Sequence, residues 1–181
     1  MKKYLLSVYL FCCCCCQQLA AQDCYSIQFS ALNGTMINTQ SSMNKRLIVV
    51  AFDAAHPDRS QLQALDSIYR NSNNGIQVIG IPVNDFSAAP AAVSLLGFLG
   101  DSLNVSFPIA AISQGSAGTA QHPLIRWLTT VSSKNHFNVT YSASGQLFVV
   151  APNGLLCAVL DPQTPIGGPV MQHVLNNWPS E

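Results

Sequence analysis

No cysteine lies between Cys24 and Cys157 of this 181-residue chain. That gap excludes sulfur chemistry from the whole middle of the sequence, and with it any Cys-x-x-Cys redox pair beyond the first two dozen residues. Charge is also scarce: Asp, Glu, Lys and Arg make up 9% of residues, against 49% hydrophobic. This composition excludes a disordered chain. No basic excess exists, since the formal net charge is zero. A nucleic-acid partner therefore has no electrostatic footprint to find.

Five of the seven cysteines, Cys12 to Cys16, stand in a leader-like stretch. Lys2 and Lys3 precede an apolar run, and Gln17 to Gln22 supplies small residues for cleavage. The run is shorter than the ~20 residues a spanning helix needs. Residues 1–22 thus read as a signal peptide, and residues 23–181 as one exported domain with no stable membrane span after cleavage. Losing Lys2 and Lys3 leaves six basic against eight acidic residues. A lipid-anchored product is the weaker alternative, because lipobox cysteines follow a small residue and Cys12 follows Phe11. The mature chain then keeps Cys24 and Cys157 alone. They are candidates for a disulfide or for two buried small hydrophobes, and the sequence leaves both open.

The organising stretch is Leu47 to Tyr69. Leu47 to Phe52 is a continuous apolar run, as in a strand buried on both faces. Pro57 opens a helical pattern with Leu62, Leu65, Ile68 and Tyr69 on one face. Pro57 is expected at the first helical position, with His56 as cap and Gly75 ending the run. The strand–helix junction holds Asp53, His56 and Asp58.

Elsewhere, Cys24 to Phe29 alternates as a strand and Asn33-Gly34 marks a hairpin turn into Thr35–Thr39. Ile76 to Pro82 reads as a parallel strand completing a βαβ unit. Pro90–Leu99 and Pro123–Leu128 read as helices. Leu147–Ala151 and Leu155–Leu160 read as a final hairpin, and Pro165–Trp178 as a closing amphipathic helix.

In this order the segments resemble the glutathione peroxidase family. The resemblance is carried by Ser26–Phe29 with Asn33-Gly34, by Leu62–Leu65 with Tyr69, and by Gly75 to Phe86. Val105–Ile109 and His122–Leu128 extend it. It implies an α/β, thioredoxin-like fold with a mixed central sheet flanked by helices and an N-terminal β-hairpin. The family's chemistry requires a low-pKa thiolate or selenolate attacking a peroxide bond. That nucleophile precedes the Leu-Gln of the first helix by nine residues, which is Asp53 here. The family's Gln partner falls on Asp85, and its Trp-Asn pair on Ala143 and Ser144. A carboxylate has no sulfenic state, so the resemblance implies the fold and argues against the activity.

Three functions are open on these residues. The leading one is an exported, catalytically silent member acting by binding, or structurally, with a protein or small-ligand partner and no cofactor. A working thiol peroxidase using Cys24 or Cys157 is the second, in an oxidative-stress role. The third is a metal- or ligand-binding module at Asp53, Asp85 and His56, with Asp53 and Asp85 expected to lie close together. Against it stands the plainer reading that Asp53 answers a helix dipole and Asp85 caps a loop. His122, Trp127 and Trp178 read as structural residues.

Overall fold

The structure is a computed structural model, and it describes residues 24–73, 75–134 and 140–176. The leader, Trp178 and residues 135–139 lie outside the described residues.

Strands β1 (Gln28–Ser30) and β2 (Met36–Asn38) form the expected antiparallel hairpin. Gly34 takes φ +83° at its tip, a conformation that glycine adopts without strain. Cys24 departs from expectation. It sits in a 3₁₀ turn, Cys24–Ser26, and strand pairing begins only at Gln28.

The four-stranded sheet has the order β4-β3-β5-β6, built from β3 (Arg46–Asp53), β4 (Ile76–Val83), β5 (Gln146–Val150) and β6 (Leu156–Leu160). β3 runs parallel to β4 and antiparallel to β5, so the sheet is mixed. All eight residues of β3 are buried, and between Arg46 and Asp53 at its ends burial on both faces accounts for the apolar run Leu47–Phe52. Its side chains divide by parity. Leu47, Val49 and Ala51 pack with Leu124, Ile125 and Leu128 of helix α3 (Pro123–Lys134). Ile48, Val50 and Phe52 pack with Leu62 and Leu65 of α1 (Arg59–Asn71). The strand period of two thus feeds two cores, one on each face.

Several boundaries move. α1 starts at Arg59 and its cap is Asp58, whose carboxylate accepts from Ser60 N–H and Gln61 N–H. The short Asp side chain reaches those amides, whereas the His56 imidazole turns back to Asp53. At the other end Asn73, not Gly75, takes the left-handed conformation (φ 46°), and Gly75 N–H bonds to Ser72. The helix expected from Pro90 is α2 (Ala92–Gly97), continued by a π turn over Phe98–Ser102 that buries Leu99. Val105–Ile109 is no strand; Ile109 makes a lone bridge to Gly80. α3 runs six residues past Leu128, and the last described helix, α4, spans Pro169–Asn176.

Candidate functional site at the strand–helix junction

Asp53 ends β3 and is 5% exposed. Its Oδ1 accepts from Ala55 N–H at 3.1 Å. Its Oδ2 meets His56 Nδ1 at 3.0 Å and accepts from the Ser87 hydroxyl at 3.0 Å. Its own N–H donates to Ser144 Oγ at 2.8 Å. Burial alone would raise the carboxyl pKa. The hydrogen bonds from His56, Ala55 and Ser87, with the His56 charge, outweigh that and hold it below the usual 3.8. Asp53 is therefore ionised, and an ionised carboxylate only accepts. The His56 proton facing it sits on Nδ1, which leaves Nε2 toward solvent on a side chain 77% exposed.

This trio is not a hydrolytic relay. Ser87 Oγ lies 3.4 Å from Nδ1, the same nitrogen that Asp53 occupies. A relay needs the nucleophilic hydroxyl on the opposite nitrogen. What the arrangement supplies is a fixed imidazole with one open nitrogen, held by a buried anion.

Asp85 does not join this cluster. Its two carboxylate oxygens accept from Gly115 N–H at 2.6 Å and Ser116 N–H at 2.9 Å. It ties the loop after β4 to the 113–121 loop, the capping role its residue type suggests. Burial pushes its pKa up, and the Ser116 and Gly115 bonds pull it below the ordinary value. The expected convergence of Asp53, Asp85 and His56 as ligands thus fails for a physical reason. Asp85 spends both oxygens on backbone amides. Among the described residues no three His, Cys, Asp or Glu side chains form a metal-sized group.

Of the two remaining counted positions, Ser144 reaches the site, its hydroxyl accepting from Asp53 N–H, and the Ala143 carbonyl accepts from Gln146 N–H. Two residues escaped sequence reasoning. Ser87 is one, since nothing marks a loop serine as a carboxylate partner. Tyr141 is the other. Its ring lies against Gly115, where an added Cβ would sit 2.3 Å from Cδ1, and edge-on to Phe86 at 5.9 Å. An aromatic side chain two residues before Ala143 was its available signal. Burial, then the Asp85 and Asp53 charges, push its hydroxyl well above the ordinary range.

The sulfurs are elsewhere. Cys24 is 0% exposed, with Sγ 3.8 Å from the Gly154 carbonyl. Cys157 is buried in a separate cluster with Val149 and Ala151. The two are not bonded to each other, which removes the disulfide alternative in this structure. Burial raises the Cys157 thiol pKa, more than Arg46 and a backbone hydrogen bond lower it. His122 is buried, and Trp127 packs against the core, as their structural readings expected.

No protein-family model and no curated protein sequence matches the chain. Solved structures do. T. cruzi GPX1 superposes with a TM-score of 0.65 at 15% identity, covering 85% of this chain and 95% of that one. Trgpx in its apo form gives 0.64 at 16% identity, over 86% and 97%. A secreted Mycobacterium tuberculosis disulfide oxidoreductase homologous to E. coli DsbE gives 0.55 at 12% identity, over 84% and 96%. Among the described residues no helix is long and apolar enough to cross a membrane. At these identities the likeness establishes architecture alone: the chain has a thioredoxin-like α/β fold of glutathione peroxidase type.

Proposed function

We propose that this is an exported thioredoxin-fold protein that has lost peroxide-reducing catalysis and acts by binding. Residues 1–22 are its signal peptide and residues 23–181 its single domain. The observation that carries the reading is the occupant of the junction. Asp53 stands where the resemblance puts the nucleophilic sulfur, and both its oxygens are engaged. A carboxylate cannot cycle through a sulfenic acid. The thiols of Cys24 and Cys157 offer no substitute. Both are buried; Cys157 lies in a strand, and Cys24 opens only a three-residue 3₁₀ turn, too short to carry the dipole that lowers a thiol pKa.

Export is supported by the leader and is in keeping with a secreted structural neighbour. The test is turnover. Purified exported protein, supplied with hydrogen peroxide or an alkyl peroxide and a thiol donor, should consume peroxide no faster than buffer. A saturable rate that disappears in Cys24→Ser or Cys157→Ser would instead establish a thiol peroxidase.

A further inference from the structure

Beside the junction lies a cavity of about 180 Å³. One wall is the junction loop itself, through Ala54, Ala55 and Pro57. The other is the α2 region, through Leu95 and Phe98, with Ser94 the hydroxyl-bearing residue of the lining. An apolar cavity of roughly 150 Å³ holds a benzene ring in a protein core, so this one is ring-sized.

Its mouth is basic. Arg59 lays its guanidinium over the Phe98 ring, Cζ 4.8 Å from the centroid. Phe98 is a wall residue, so the stacking holds a cation at the rim. Among the described residues no carboxylate forms a salt bridge with Arg59. His56 stands between the wall residues Ala55 and Pro57. Its Nδ1 is fixed by Asp53, and its Nε2 makes no hydrogen bond within the described residues. Of the acids nearby, Asp53 is buried against His56, Asp58 caps the Ser60 and Gln61 amides, and Asp101 is exposed in the turn that follows Phe98. A larger cavity, about 560 Å³ between the hairpin and α2, likewise has no charged side chain in its wall, and the cation beside it, Arg70 bonded to Ser106, is already paired with Asp66.

We propose that the junction cavity binds a small amphiphilic monocarboxylate. Its aryl or short alkyl group fills the space between Ala54 and Phe98. Its carboxylate meets the Arg59 guanidinium, which suits planar two-point recognition, and accepts from His56 Nε2–H when the ring is the imidazolium, with both nitrogens protonated. This names a ligand class for the binding role proposed above and rests on that reading.

Calorimetric titration of the purified exported protein with benzoate and hexanoate tests it, with benzylamine and benzyl alcohol as comparison probes. Both carboxylates should bind, and benzylamine should not. Arg59→Gln should weaken benzoate about 10-fold or more, the scale of a lost hydrogen bond to a charged group, and leave benzyl alcohol nearly unchanged. Ser94→Phe, at an exposed wall position, should abolish binding of both ring compounds while leaving the thermal melt intact. Absence of carboxylate binding at millimolar concentration would overturn the proposal. So would equal affinity in Arg59→Gln and His56→Gln, or benzylamine binding as tightly as benzoate. A peroxide assay on the same samples separates the two claims: turnover removes the silent-enzyme reading alone, and missing carboxylate binding removes the cavity proposal alone.

Discussion

His122 is 4% exposed, and burial pushes its pKa down to about 4 from 6.5. Its Nδ1 accepts from Leu124 N–H at 3.2 Å, so the folded protein needs the neutral ring. The unfolded chain takes up a proton near 6.5 and the folded chain only near 4, so the unfolded state binds more protons across that window. Stability should therefore fall as pH drops from 6.5 to 4, by roughly 3 kcal/mol for a shift of this size. Urea midpoints measured across that range should show the slope, and His122→Gln should flatten it. The carboxylates act lower. Asp53, Asp58 and Asp85 all have depressed values, so their contribution is present above 3.8 and is lost as pH falls through their folded values. Asp53→Asn keeps the shape but removes the charge that holds His56 and accepts from Ser87. It should cost about 1–3 kcal/mol in urea unfolding at neutral pH.

At the scale of elements, the apolar runs were legible because burial dictates them. Leu47 to Phe52 told of a strand covered on both faces, and parity then assigned its side chains to two cores. Helix ends were not legible, because neighbouring side chains compete for the same amides. Asp58 outcompeted His56 at the start of α1, since Asp53 claimed the imidazole. Asp58→Ala should lower stability by about 1 kcal/mol, read as a shift in urea midpoint. Packing is tight at Gly80 in β4. A Cβ there would lie 2.6 Å from Ile109 Cδ1 and 3.1 Å from Phe107 Cε2. Gly80→Ala should destabilise by about 1 kcal/mol, because the Ile109 side chain must leave its rotamer and the Phe107 ring must give by a few tenths of an ångström.

Across the whole molecule, the fold matches solved structures at about 15% identity. The order of segments revealed the architecture. Counting along the chain revealed Asp53 and Ser144, because both lie at fixed distances from strands that the apolar pattern defines. Ser87 and Tyr141 were hidden, since they reach the junction through loops whose paths no periodicity sets. The structure has a carboxylate–imidazole pair at the strand–helix junction and its two thiols enclosed in the cores. The most direct measurement is the intact mass of the exported protein after brief exposure to stoichiometric hydrogen peroxide, with a sulfenate trap present. This account predicts an unchanged mass and no trapped adduct under native conditions, with both thiols reacting with a thiol reagent only after unfolding. Rapid trapping of a sulfenate at Cys24 or Cys157 in the folded protein would contradict it.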